Sequence, residues 1–147
     1  MNLEIKRFDE LSTELLYEII KARIMVFVVE QNCPYMECDG LDKSAYHCFI
    51  RTEQGVSAYA RIIPPQVKYR VEASLGRVMT TESIRGTGTG IELMEHVMSF
   101  MIHDKGYTRI RIEAQKYLED FYYKFGFTTV SNSFLLDGIE HIEMVYN

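Results

Sequence analysis

A chain of 147 residues with 16 Lys and Arg against 21 Asp and Glu has a formal net charge of −5 and the length of one domain. That balance excludes a binder of nucleic acid or of an anionic membrane surface that relies on a basic face. Apolar residues make up 47% and charged residues 25%, so the chain is globular, and a domain of this size buries roughly 70% of its unfolded surface without a disulfide or metal staple.

Cys33, Cys38 and Cys48 are odd in number and irregular in spacing, which argues for reduced thiols. With His47 they read C-x4-C-x8-H-C, which lacks a second close ligand pair, so no metal is expected. The opening MNLEIKRFDE is charged where a signal peptide would turn apolar, and the longest apolar run, Ile24 to Val29, is far short of a membrane span. The expectation is a soluble cytoplasmic protein.

In chain order, Leu3 and Ile5 predict a short strand, and Thr13 is placed to cap a helix with Leu15, Leu16, Ile19, Ile20, Arg23 and Phe27 at spacings of three and four. Residues 30–45 hold Pro34, Gly40 and four acids, and read as a long loop with at most one helical turn. Tyr46, Cys48 and Ile50 alternate, Glu53-Gln54-Gly55 supplies a turn, and Val56 to Ile62 alternates again before Pro64-Pro65. A third strand is expected near 74–80. Beyond a glycine cluster, Ile91 to Ile102 marks an amphipathic helix closed by Lys105-Gly106. Ile110, Ile112 and Ala114 predict a strand, Leu118 to Phe125 a helix ending at Gly126, and 127–130 and 139–145 two final strands. The expected fold is α+β, one mixed sheet with helices on its flanks, spanning 1–147 as a single domain.

Chemistry concentrates in Leu75 to Gly90, read LGRVMTTESIRGTGTG. Three glycines in five residues at a helix start cost about 1 kcal/mol each relative to Ala. They let backbone N–H groups approach an oxyanion at the positive end of the helix dipole, and Arg85 can add a charged contact. The spacing G-x-G-x-G is not the dinucleotide G-x-G-x-x-G, and no Gly-Lys-Ser/Thr follows for a nucleoside-triphosphate loop.

Arg85-x-x-Gly88-x-Gly90 after a strand resembles the coenzyme A pyrophosphate loop of the GNAT superfamily of N-acetyltransferases. Gln115 to Phe127, QKYLEDFYYKFGF, resembles that superfamily's second signature, with Tyr122 four residues before Gly-Phe. Arg23-x-x-Val26-Phe27 through Tyr35, then Glu37, Asp39-Gly40 and Asp42, with Leu75-Gly76-Arg77-Val78 and the ending Asp137-Gly138-Ile139-x-His141-Ile142-x-Met144, is similar to the ElaA-like branch. Glu140 stands where that branch often has proline.

The resemblance implies a GNAT-like three-layer domain and acetyl-coenzyme A as co-substrate, with a small-molecule or peptide amine as acceptor; a homodimer is permitted. It places the cofactor on Val78, Met79, Thr80, Arg85, Gly86, Thr87, Gly88, Thr89, Gly90, Gln115 and Tyr122. An amine near pKa 10 is only about 0.1% unprotonated at neutral pH, so a base is required as well as an acid for the thiolate. Tyr122 is the acid candidate. Glu113 is the leading base candidate, with Glu37, His47, His141 or a water chain as others. Phe27, Cys33, Glu37, Asp39, His47 and His141 are the expected acceptor residues, the acids steering a cationic amine. A silent coenzyme A-binding module and a homoserine-lactone-type synthase are the competing classes, although the latter wants an early tryptophan and this chain has no Trp.

Overall fold

In the computed structural model, which describes residues 2–147, the period-2 segments form strands and the period-3.6 segments form helices. In chain order these are β1 (Leu3–Arg7), α1 (Thr13–Ile24), β2 (Tyr46–Thr52), β3 (Gly55–Ile63), β4 (Ala73–Thr80) and α2 (Thr89–Ser99). Then follow β5 (Ile110–Gln115), α3 (Glu119–Tyr123), β6 (Thr128–Thr129), β7 (Phe134–Leu136) and β8 (Ile139–Tyr146). They build one mixed sheet in the order β1-β2-β3-β4-β5-β8-β6, with β7 also paired to β8. Among the described residues, β4–β5 is the parallel pair and the other pairs are antiparallel.

Alternation along β2 and β3 sends their side chains to two apolar layers. Phe49 and Tyr59 meet Leu15, Ile19, Ala22 and Val26 of α1 and its extension. Cys48, Ile50, Ala60 and Ile62 meet Leu93, Val97 and Met101 on the opposite face. The result is the expected three layers, helix, sheet and helix. No helix among the described residues is long and apolar enough to cross a membrane.

Local departures have local causes. Ser12, not Thr13, caps α1: its Oγ accepts the Leu15 N–H at 3.1 Å, and Thr13 is the first helical residue. The helix continues through Met25–Glu30 as a widened turn of π geometry, which carries Phe27 and Glu30 toward the edge of β4. The predicted third helix is only five residues long, preceded by a tight turn at Lys116–Leu118. Strand β7 lies between the two expected final strands, in a stretch for which no element is predicted. Asp137 (φ 52°) and Gly138 (φ 76°) both take the left-handed conformation of a two-residue hairpin turn, which pairs Phe134 with His141.

Candidate active site

The parallel strands β4 and β5 pair only at Ala73–Ile110 and Ser74–Arg111, and then part. A bulge in β4 sets the divergence: Met79 faces Tyr59 and Gly76 faces Arg61, so Arg77 and Val78 share one partner position, with Arg77 at φ 50°. The gap opens into a cavity of about 670 Å³, lined by Leu75 to Thr80 from one side and Ile112 to Gln115 from the other. Backbone N–H and C=O groups on the facing edges have no sheet partner there. They suit an extended ligand that carries amides of its own.

The glycine turn stands at the mouth. Gly86 and Gly88 have φ of 80° and 84°, and a Cβ added at either would meet nothing within 4 Å. Packing therefore does not demand glycine here; backbone conformation and open access do. Gly88 is the N-cap of α2 and supplies no capping side chain, which leaves N–H groups of the first turn directed outward beside the dipole. Val78, Met79, Thr80, Arg85 and Gly90 line the cavity, while Gly86, Thr87, Gly88 and Thr89, which lie between Arg85 and Gly90 in the chain, are outside its lining. The Thr87 hydroxyl donates to the Ile84 carbonyl and lies 2.7 Å from the Thr89 hydroxyl. Arg85 is turned from the expected phosphate position: its Nη2 donates to Glu30 at 2.6 Å and to the Thr80 carbonyl at 2.7 Å.

Tyr122 enters the cavity from α3, 7% exposed, its ring held edge-on by Phe121 and Phe127. Its hydroxyl has no hydrogen-bond partner among the described residues, and burial pushes its pKa up, so the phenol stays protonated. Gln115 and Gln31 exchange amide hydrogen bonds at 3.4 and 3.3 Å across the gap. Glu113 lines the cavity but is engaged, by Lys68 at 2.8 Å and the Tyr69 hydroxyl at 3.4 Å. Phe27, Cys33 and His141 line the same wall, with the Cys33 thiol donating to the Asp137 carbonyl at 3.2 Å.

Three expected acceptor residues are not brought there. Glu37, Asp39 and His47 lie outside the cavity lining: the two acids belong to an ionic cluster of which Glu37 is buried and Asp39 is the exposed edge, and His47 is buried beside it. Arg23 is fully buried, bonded to Glu37 at 2.5 Å and Asp42 at 2.9 Å. Arg61 bridges Asp39 at 2.7 Å and Asp42 at 2.9 Å, and Arg77 reaches Glu37 at 2.9 Å and Asp39 at 3.4 Å. Tyr35 donates a short hydrogen bond to Glu37. Three arginines thus neutralise three carboxylates, and the acids expected to attract an amine fix the 31–41 loop to β3 and β4 instead. Burial opposes ionisation of Asp39, but the Arg61 hydrogen bonds, the Leu41 N–H and the charges of Arg61 and Arg77 together outweigh it and hold its pKa at about 2. His47 is spent too: Nδ1 faces the Tyr59 hydroxyl at 2.7 Å, Nε2 faces the Asp42 carbonyl at 2.9 Å, and burial pushes its pKa down.

Arg61, Lys68, Gln31 and Tyr35 also line the cavity and were not among the expected site residues. The available signal was Arg61 itself, a charge within the apolar run of β3, which requires buried partners.

Residues 23–147 match the model of the acetyltransferase (GNAT) domain family. A UPF0039 protein of Synechocystis sp. is 40% identical over 147 residues, covering 99% of this chain and 95% of that protein. Protein ElaA of Escherichia coli is 36% identical over 138 residues, covering 92% and 90%, and its crystal structure superimposes with a TM-score of 0.91 over 99% of both chains. An acyl-CoA N-acyltransferase from Pseudomonas aeruginosa, 32% identical, superimposes with a TM-score of 0.93 over the whole of both chains.

Proposed function

This chain belongs to the GNAT acetyltransferase family, and from that premise we propose that it transfers an acetyl group from acetyl-coenzyme A to a primary amine of a small molecule or peptide. The observation that carries this reading is the parting of β4 from β5 beside a helix whose first turn is left open by glycine. The pyrophosphate takes the N–H groups of the Gly86 to Gly90 turn, where a negative charge is favoured and no side chain intrudes. The pantetheine arm lies in the gap and completes the broken sheet through backbone groups of Val78, Met79 and Thr80, with Gln115 on the opposite strand.

In this reading the thioester lies between the β4 bulge and Tyr122. A backbone N–H of the bulged segment polarises the carbonyl, and the amine attacks from the wall of Phe27, Cys33 and His141. As the tetrahedral intermediate collapses, the C–S bond breaks and the Tyr122 phenol, kept neutral by burial, gives the thiolate its proton. The test is calorimetric titration with coenzyme A, followed by thiol release from acetyl-coenzyme A against a panel of primary amines. Micromolar binding with amine-dependent thiol release is expected. Binding without release from any amine would leave a silent coenzyme A module, and no binding would sink the reading entirely.

A further inference from the structure

Resting on that reading of the site, we propose that His141 is the general base that takes the acceptor amine's proton through Nε2. The ring's Nδ1 lies 2.7 Å from the Ile139 carbonyl. A carbonyl oxygen can only accept, so Nδ1 carries the hydrogen, and the lone pair of the neutral ring resides on Nε2. That nitrogen has no hydrogen-bond partner among the described residues, and His141 lines the cavity. Phe134 stacks on the ring, with centroids 6.2 Å apart and planes 28° from parallel, which fixes the direction of the lone pair. Strand register places His141 directly opposite Gln115, at the cavity end of β5.

The other candidates are occupied. Glu113 is bound by Lys68, Glu37 by Arg23, Arg77 and Tyr35, and both nitrogens of His47 are taken inside the core. In the step assigned here, the amine nitrogen forms the N–C bond to the thioester carbonyl carbon and loses one proton to Nε2. The C–S bond then breaks, the sulfur leaves with its electron pair and is protonated, and the imidazolium releases its proton to solvent. The net products are an amide and coenzyme A.

The experiment compares the wild type with His141→Asn, whose amide N–H can replace the Nδ1 donor to Ile139 while Nε2 is lost. His141→Gln serves as a second variant should the first fold poorly. Phenethylamine and its less basic β,β-difluoro analogue, which is largely unprotonated at neutral pH, are the acceptors. Coenzyme A affinity should stay within about 3-fold, and single-turnover acetylation of phenethylamine should fall by about 10²-fold or more. The defect should shrink at least about 10-fold with the difluoro analogue, because that amine needs less help to lose its proton. A merely structural role would slow both acceptors equally, and that result overturns the assignment. So does a folded variant with near wild-type rates on phenethylamine. Wild-type protein that binds coenzyme A but acetylates no amine would instead overturn the transfer reading, and the base with it.

Discussion

Replacing Arg23 by Met should destabilise the protein more than any single change at the cavity rim. The guanidinium is fully buried, donates to Glu37 and Asp42 and to the Glu37 carbonyl, and lies over the Tyr59 ring at 5.4 Å. Removing one partner of a buried ion pair costs about 3–5 kcal/mol because the remaining charge is left uncompensated. Here Glu37 keeps Arg77 and Asp42 keeps Arg61, so the lower end, about 3 kcal/mol, applies. For a chain of this length the unfolding entropy converts that to a fall in Tm of roughly 10 °C. Arg23→Lys keeps the charge but not the planar fork, and should lie about halfway between. Urea titration followed by circular dichroism reads the stability. Coenzyme A affinity should be nearly unchanged, because the Gly86 to Gly90 turn contributes no residue to the ion pairs of the cluster, whereas KM for the acceptor should rise as Cys33 and Tyr35 lose their anchorage. A loss below about 1 kcal/mol for Arg23→Met would show that the cluster does not hold the loop, and the account of the acceptor wall would fail.

Gly88→Asp adds a like charge at the phosphate position and a side chain to a left-handed residue with no neighbour in its way. It should fold, at a cost of about 1–2 kcal/mol, and weaken coenzyme A binding by about 2 kcal/mol or more in calorimetry. Tyr122→Phe keeps the buried ring and removes the proton, so single-turnover acetylation should fall about 10²-fold with coenzyme A affinity spared. Because burial pushes that phenol up, an alkaline limb it causes should lie above the ordinary tyrosine range in the kcat–pH profile. In acid, Asp39 is depressed to about 2 from 3.8, so its contribution is complete above about pH 4 and is lost as pH falls toward 2. Asp39→Asn should be less stable at neutral pH and show a shallower loss across that window in urea titrations.

The sequence carries the fold because its periods are clean: the alternation of β2 and β3 and the spacing of α1 and α2 both survive intact. What it hides is set by long-range geometry. The bulge at Arg77 arises from the register of β3 against β4, and no local composition announces it. The acidic loop reads as a lure for cations because no basic residue stands next to Glu37 or Asp39 in the sequence. Its partners, Arg61 and Arg77, lie 22 and 38 residues from Asp39. Strand β7 has a local signal, since Asp137-Gly138 between apolar residues is a hairpin turn, and its pairing is what brings Phe134 onto His141. The glycine turn and Tyr122 stand out in the sequence because each is a local pattern tied to a helix end or a helix face.

The most direct test of the central claim is to follow a carbon-13 acetyl group from acetyl-coenzyme A by mass spectrometry in the presence of protein and a panel of primary amines. The account predicts an amide bearing the labelled acetyl group, formed in equal number to the free coenzyme A released, and about 30-fold or more slower formation by Gly88→Asp at low cofactor concentration. Coenzyme A released without labelled amide, or amide formed equally well by the Gly88 variant at low cofactor concentration, would contradict it.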